Sequence, residues 1–125
     1  MARNLKGVDA TSAADLMKKG ALMVDVREGY EYANARIPGS HNAALSSLET
    51  SDLPLAPGQS VVFLCASGNR TSMHAARLAA KANGAEAYVM SGGIGAWARA
   101  GLPVERGGAE APGGSRPGFF SRLFG

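Results

Sequence analysis

The centre of the chain contains the stretch Val61-Val62-Phe63-Leu64-Cys65-Ala66-Ser67-Gly68-Asn69-Arg70-Thr71, in which a cysteine lies between an apolar run and a polar loop. We name residues 65–71 the cysteine loop. The apolar run predicts a buried strand, and the alanine-rich residues 72–83 predict a helix after the loop. Where a strand turns into a helix in this way, loop N–H groups and the helix N-terminus favour an anion at one point. The stretch therefore predicts a cysteine that ionises and acts as a nucleophile.

Ionisation matters because a free thiol, with a pKa of about 8.5, is only a few per cent thiolate at neutral pH. Backbone N–H groups around the sulfur, together with the following helix, would lower that pKa. Gly68 allows the backbone to approach an anion closely, and Ala66 and Ser67 place little bulk over the sulfur. Arg70 adds a permanent cation with forked donors for the thiolate or for a sulfur oxyanion.

A lone cysteine at a strand end is more often a small buried hydrophobic residue than a catalyst. The residues that follow Cys65 favour the catalytic interpretation here. Cys65 is also the single cysteine of the chain, which excludes an intramolecular disulfide and a cysteine-based zinc cluster. The chain also has no second cysteine that could react with a group bound to Cys65. We predict no metal and no cofactor.

Four segments resemble the rhodanese family of sulfurtransferases, in the order of that family. They are the cysteine loop, Val24-Asp25-Val26-Arg27-Glu28 with Tyr30-Glu31-Tyr32, Arg36-Ile37-Pro38-Gly39-Ser40-His41-Asn42, and Gly92-Gly93-Ile94-Gly95-Ala96-Trp97. The resemblance covers roughly residues 4–104. It implies that Cys65 carries a persulfide and that the other residues of the cysteine loop bind the substrate, namely Ala66, Ser67, Gly68, Asn69, Arg70 and Thr71.

Two positions depart from the family pattern. The residue before Ile37 is often His in relatives and is Arg36 here, and Gly29 replaces the Pro that commonly follows Asp-Val-Arg-Glu. Neither position lies in the cysteine loop. We expect Arg36 to bind substrate by adding positive charge near the pocket, and so to influence which anionic donor is preferred.

Strand and helix signals alternate along the chain, which predicts right-handed crossovers and a mainly parallel sheet with helices on both faces. The predicted strands are residues 5–8, 21–26, 40–43, 61–64 and 85–90, and the predicted helices are 12–19, 28–35, 72–83 and 94–99. The fold class is therefore α/β, a single rhodanese-like domain with a five-stranded sheet. Since ligands bind beyond the carboxyl ends of such strands, Cys65, Asp25, Arg27 and the turn 91–93 are expected at one edge.

Asp25, Arg27 and Glu31 are predicted to hold the loop at the site in place without contacting the substrate. We expect Arg27 to form an ion pair with Glu28 or Glu31, and Asp25 to accept backbone N–H groups. The alternative at Asp25 and Arg27 is a direct catalytic role. His41 and His74 are interpreted as surface or hydrogen-bonded residues, because a loop that generates the thiolate needs no imidazole base.

The composition is that of one compact domain. A chain of 125 residues, 46% hydrophobic and 18% charged, can bury a single core, and we assign residues 4–104 to it. The net charge is +3, but the Lys and Arg residues are scattered without interleaved aromatics, which argues against nucleic-acid binding. A pocket for a small anionic sulfur donor needs only local charge. No apolar segment approaches the 18 or so residues that span a bilayer, so we expect a cytoplasmic protein.

Residues 105–125 form a different kind of sequence. Residues 106–118 are rich in Gly, Pro, Ala and Ser, which predicts a flexible linker. An apolar end follows, and its docking to a protein partner, to a membrane surface or to the domain itself competes with a plain disordered end. The residues that would make such a contact are Phe119, Phe120, Leu123 and Phe124.

Three functions from different classes compete. In a sulfurtransferase, Cys65 takes a sulfane sulfur from thiosulfate or a persulfide and passes it to cyanide or a thiol. A phosphatase or arsenate reductase on a related fold has five residues between its Cys and Arg, whereas four separate Cys65 from Arg70, which favours the smaller sulfur. A persulfide carrier or docking module without turnover is the third, because sequence does not separate a carrier from a slow enzyme.

Overall fold

The computed structural model describes residues 5–107. Its elements follow in the order β1 Lys6–Val8, α1 Ala10–Lys18, β2 Leu22–Asp25, α2 Gly29–Asn34, β3 Ala35–Arg36, β4 His41–Asn42, a 3₁₀ segment Leu45–Thr50, β5 Val61–Leu64, α3 Asn69–Met73, α4 Ala75–Ala82, β6 Ala87–Met90, α5 Gly93–Arg99 and β7 Glu105–Arg106. Five strands form one sheet in the order β1-β6-β5-β2-β4, and every pair in it is parallel. The predicted α/β class is confirmed.

The strand β5 lies at the centre of the sheet and is buried at every residue. Phe63 packs on one face in a cluster that includes Leu78 of α4. Leu64 packs on the other face in a cluster that includes Trp97 of α5. Burial on both faces explains why this strand is apolar throughout rather than alternating. The strand ends at Leu64, and Cys65 begins the cysteine loop directly after it.

The helix α1 begins at Ala10, before the predicted start at Ser12. The reason is the carboxylate of Asp9, whose Oδ1 accepts the Ser12 N–H at 2.8 Å and caps the helix. Ser12 therefore lies inside the first turn and is not the cap. Among the helices of residues 5–107, none combines the length and apolar character needed to cross a membrane.

The predicted helix over residues 72–83 is two helices, so the prediction of one continuous helix was wrong. The backbone leaves helical geometry at His74, with φ −113° and ψ 24°, and this residue separates α3 from α4. The first helix begins inside the cysteine loop and carries Arg70 and Thr71. The predicted end is confirmed, because Asn83 closes α4 in the left-handed conformation.

A two-stranded antiparallel ribbon pairs β3 with β7 beside the main sheet. Its second strand consists of Glu105 and Arg106, which the sequence assigned to the tail. The Gly107 N–H then donates to the Asn34 carbonyl at 2.8 Å. The start of the tail is thus joined to α2 and β3. The apolar end of the predicted tail, with Phe119, Phe120, Leu123 and Phe124, lies outside the described residues.

Candidate active site

The sulfur of Cys65 lies inside the cysteine loop, and the residue is 1% exposed. The Gly68 N–H donates to Cys65 Sγ at 3.1 Å, and Thr71 Oγ1 lies 3.8 Å from the same sulfur. Burial raises the pKa of the thiol, but loop N–H groups and the Thr71 hydroxyl outweigh this effect and hold the pKa of Cys65 below its ordinary value. Those N–H groups belong to Thr71, Gly68 and Ser67. The geometry therefore favours the thiolate.

Position 68 requires glycine for two reasons, its backbone conformation and the lack of room for a side chain. The residue has φ +99°, in the left-handed region that side chains rarely adopt. A Cβ there would also lie only 3.3 Å from the backbone nitrogen of Gly92. Gly68 therefore allows its N–H to point at the sulfur while the loop packs on the start of α5.

The first residues of α5 hold the outer side of the cysteine loop. The Ile94 N–H donates to the Cys65 carbonyl at 2.9 Å, and the Gly95 N–H donates to the Ala66 carbonyl at 3.1 Å. A Cβ at Gly93 would overlap the same carbonyl groups. The loop carbonyls thus bond to α5 while N–H groups turn toward the sulfur. The sequence placed the turn 91–93 at this edge but did not predict these bonds, although two adjacent glycines are typical of such a close approach.

Asp25 and Arg27 form a buried ion pair in which the side chains are 0% and 7% exposed. The Arg27 Nη2 lies 2.7 Å from Asp25 Oδ2, and the Arg27 backbone N–H donates to Asp25 Oδ1 at 3.0 Å. Arg27 also donates to the Ala35 carbonyl at 2.5 Å. The prediction that Arg27 pairs with Glu28 or Glu31 was wrong, because residues two apart in an extended chain point to the same side. The pair ties the end of β2 to the end of α2.

Glu31 pairs instead with Arg70 of the cysteine loop. The Arg70 Nη1 and Nη2 donate to Glu31 Oε1 and Oε2 at 2.7 and 3.0 Å, a two-pronged contact. These bonds hold the pKa of Glu31 below its usual range, and Glu31 in turn raises the pKa of Arg70. The Glu28 N–H donates to Glu31 Oε1 at 3.0 Å and fixes the carboxylate at the start of α2. The loop arginine is thus already compensated by a carboxylate.

Arg36 lies in the ribbon of β3 and β7. Its Nε is 3.2 Å from Glu105 Oε1, its Nη1 donates to the Ala33 carbonyl at 3.1 Å, and its guanidinium lies over the Tyr32 ring at 5.9 Å. Within residues 5–107, none of its hydrogen bonds or ion pairs involves the cysteine loop. Its predicted contribution to the pocket stays a prediction.

The two histidines make no hydrogen bond to Cys65 within the part of the chain that the structure describes. His74 lies at the junction of α3 and α4, where its Nδ1 is 3.2 Å from Arg77 Nη1. His41 lies on the edge strand β4. Among residues 5–107, the hydrogen bonds of Cys65 Sγ are with its own loop, and the residue also belongs to the core cluster that includes Leu78 of α4.

A cavity of about 550 Å³ adjoins the cysteine loop on the side of β1. Ser67, Asn69 and Ser72 line it from the loop and α3, and Ser91 lines it from the end of β6. Another cavity, of about 590 Å³, is lined by residues from 52–59 and 81–86 and does not include Cys65 or any other residue of the cysteine loop. Cys65 itself lines neither cavity.

Comparison with known proteins identifies a family model and a curated relative that match this chain. The model of the rhodanese-like domain family matches residues 9–100. A curated relative, an uncharacterized protein from Synechocystis, is 37% identical over 84 residues, which are 66% of this chain and 46% of that protein. The chain thus spans less than half the length of this relative.

Solved structures show the same fold. A thiosulfate sulfurtransferase from Pseudomonas aeruginosa is 29% identical with a TM-score of 0.70, and the match covers 85% of this chain and 20% of that one. A rhodanese-related protein from Thermoplasma volcanium has 27% identity and a TM-score of 0.69, covering 80% and 97%. A protein of unknown function from Rhodopseudomonas palustris, described as a possible tyrosine phosphatase, has 30% identity and a TM-score of 0.66, covering 81% and 85%.

Proposed function

The chain belongs to the rhodanese-like domain family, and from this premise we propose that it is a sulfurtransferase whose Cys65 carries the transferred sulfur as a persulfide. The contact from the Gly68 N–H to Cys65 Sγ, at 3.1 Å in a loop that lowers the thiol pKa, is the observation that supports this proposal. A thiolate is the form that attacks a sulfane sulfur.

The reaction consists of two displacements. With thiosulfate as donor, the Cys65 thiolate attacks the outer sulfur, the S–S bond of the donor breaks, and sulfite leaves with the bonding electron pair. Cyanide or a thiolate then attacks the terminal sulfur of the persulfide and restores the Cys65 thiolate. No net oxidation of the protein occurs, so no redox cofactor is needed. Loop N–H groups stabilise the negative charge on the sulfur throughout.

A phosphatase is the second candidate, because a structural neighbour is described as a possible tyrosine phosphatase. Two features of this chain argue against it. Only four residues separate Cys65 from Arg70, fewer than in the phosphatase loops of the related fold. Both Nη atoms of Arg70 are also bonded to Glu31, so the fork that would bind a phosphate is already occupied by a carboxylate.

A persulfide carrier without rapid turnover would use the same Cys65 chemistry. It would differ only in the second displacement, which would require a specific acceptor instead of cyanide. A cytoplasmic location is part of the same proposal, because the reaction requires Cys65 in its reduced form and the cytosol keeps thiols reduced.

Intact mass of the purified protein, after thiosulfate and then after cyanide, tests the proposal. Wild type should gain one sulfur atom and lose it to cyanide with release of thiocyanate. Cys65→Ser should gain none, because an alkoxide does not form at neutral pH, and it should keep the same circular dichroism. Release of thiocyanate over many cycles identifies an enzyme, and loading with a single slow release identifies a carrier. Equal loading of Cys65→Ser would contradict the assignment of the nucleophile.

A further inference from the structure

Two large apolar side chains are exposed beside the cysteine loop. Among residues 5–107, the exposed large hydrophobic residues are Tyr30 at 73% and Met73 at 78%. Single exposed apolar residues are ordinary on a protein surface, but both of these lie next to the Glu31–Arg70 contact. Tyr30 directly precedes Glu31 in α2, and Met73 follows Arg70 by one turn of α3. We name Tyr30 and Met73 the apolar rim.

The Glu31–Arg70 contact brings the apolar rim close to the sulfur. Arg70 Nη1 and Nη2 donate to the Glu31 carboxylate at 2.7 and 3.0 Å, which joins α2 to α3. The pKa of Arg70 is raised mainly by Glu31, and Cys65 and Tyr30 add to this effect through their charges. Cys65 and Tyr30 therefore lie near the same guanidinium. A segment that covers the apolar rim would lie next to Cys65 as well.

The chain leaves the described domain close to the same helix. The Gly107 N–H donates at 2.8 Å to the carbonyl of Asn34, the last residue of α2, while β7 pairs with β3. Tyr30 lies in the first turn of that helix, about 6 Å from Asn34 along the helix axis. Residues 108–118 lead from Gly107 to the apolar end 119–124, and a flexible linker of that length spans roughly 17–20 Å. The apolar end is therefore within reach of the apolar rim.

The apolar end of the chain has the composition of a segment that would cover the apolar rim. Phe63 is buried in the core, and the other Phe residues of the chain all follow residue 118. Apolar side chains are stabilised when they leave water for an apolar surface. Aromatic rings also pack well against the polarisable thioether of a methionine and against another ring. The phenylalanines of the apolar end therefore match Met73 and Tyr30 in chemistry.

We propose that residues 119–124 dock on the apolar rim of the same molecule and shield Cys65 from reagents in solution. Residues 108–118 would hold this segment at an effective concentration in the millimolar range. A contact too weak to join two separate molecules is therefore enough to keep the segment docked. The proposal concerns access to Cys65 and holds whatever reaction Cys65 performs.

The rate at which iodoacetamide alkylates Cys65 in the full chain tests the proposal, at a pH where the thiol is fully ionised. Met73→Gln makes the apolar rim polar with little change in helix propensity. It should speed alkylation about fivefold or more, as expected when a segment held at millimolar concentration is docked in most molecules. Phe120→Ser combined with Phe124→Ser should give the same increase from the other side of the contact. Because both changes remove one contact, combining them with Met73→Gln should speed alkylation no further.

Met73→Leu is the matched control. It keeps an apolar side chain of similar volume at the same place on α3, so its alkylation rate should equal that of wild type. Met73 is 78% exposed, so the circular dichroism of both Met73 variants should equal that of wild type. If Met73→Gln does not fold, Tyr30→Gln at the other position of the apolar rim should give the same increase, and its absence counts against the proposal.

Three results would overturn the proposal. The first is an alkylation rate that neither Met73→Gln nor the two Phe substitutions change. The second is a combined variant whose increase is the product of the separate increases, because independent sites behave in that way. The third is protection of Cys65 that disappears when the protein is diluted, which would assign the contact to a second copy of the chain.

A vesicle experiment separates the proposal from a membrane contact. Vesicles of phosphatidylglycerol that bind the full chain through residues 119–124, while Met73→Gln leaves alkylation unchanged, would assign the apolar end to a membrane surface and overturn the proposal. The proposed function is judged separately. If thiosulfate adds no sulfur to Cys65 in the mass measurement, that function fails, whereas the alkylation rates still decide whether the apolar end docks beside Cys65.

Discussion

Two pairs of arginine and carboxylate side chains lie near the edge of the sheet where the cysteine loop begins, and they differ mainly in burial. In the Asp25–Arg27 pair the side chains are 0% and 7% exposed, whereas in the Glu31–Arg70 pair they are 23% and 34% exposed. The shortest N–O distance is 2.7 Å in both. The same chemical contact therefore occurs once inside the protein and once at its surface, with different consequences.

Burial decides what each pair can do. A charge removed from water must keep its partner, so the Asp25–Arg27 pair is fixed and ties β2 to the end of α2. A pair in contact with water is weaker and is screened by salt, so the Glu31–Arg70 pair contributes little to stability. Arg70 of this pair is held mainly by Glu31 and also interacts with the charge of Cys65. We therefore expect the buried pair to matter mainly for the stability of the fold and the Glu31–Arg70 pair mainly for the reactivity of Cys65.

The largest expected effect comes from breaking the buried pair. Asp25→Ala leaves the Arg27 cation buried without a partner and should lower the free energy of unfolding by about 3–5 kcal/mol. Glu31→Ala should lower it by less than about 1 kcal/mol, because water can solvate Arg70. Urea denaturation of the two variants measures both values. Equal losses would show that burial does not separate the two pairs.

An intermediate effect is expected on the reactivity of Cys65 when Arg70, the other member of the Glu31–Arg70 pair, is removed. Arg70→Ala leaves the Glu31 carboxylate uncompensated, and this negative charge should raise the pKa of Cys65. The pH at which iodoacetamide alkylates Cys65 at half its maximal rate should rise by about one unit. Arg77→Ala, which removes an arginine paired in the same way outside the site, should leave this pH unchanged. A shift of equal size in Arg77→Ala would mean that total charge is responsible.

The smallest effect is the pH dependence of stability that the exposed pair provides. The pKa of Glu31 is lowered by Arg70 in the folded protein, so the pair stabilises the fold at pH values above the usual glutamate pKa of about 4.3. This contribution is lost as the pH falls through the lowered pKa of Glu31. The difference in unfolding free energy between wild type and Glu31→Gln should therefore shrink in acid, from less than about 1 kcal/mol at neutral pH. A difference that stays constant down to pH 2 would contradict this account.

The two pairs also show where sequence reasoning succeeds. The strand, the cysteine loop and the order of elements follow from local patterns, and so does the position of Asp25 and Arg27 at a strand end. The partner of Arg27 was mispredicted although the correct residue is two positions away, because alternation along an extended chain was not applied. The Glu31–Arg70 pair joins residues 39 positions apart. No local pattern contains that contact, which depends on how α2 packs against the cysteine loop.

Short elements were missed for a related reason. The strand β7 has two residues, and it is held by pairing with β3 rather than by its own composition. The break between α3 and α4 lies in an alanine-rich segment with good helix propensity, so composition favours one continuous helix there. The strand β7 depends on tertiary pairing, and the helix break depends on a local change of backbone angle. Neither feature can be recognised from composition.

The bonds between α5 and the carbonyl groups of the cysteine loop have a consequence for repeated turnover. The Ile94 and Gly95 N–H groups bond the Cys65 and Ala66 carbonyls and so restrain the orientation of these two peptide groups. In the proposed cycle we expect this restraint to keep the surrounding backbone in place while the sulfur gains and loses a neighbour. The reorganisation energy of each step is then small, because the dipoles that stabilise the product are already aligned in the reactant. A rigid backbone would therefore speed both the loading of sulfur onto Cys65 and its release.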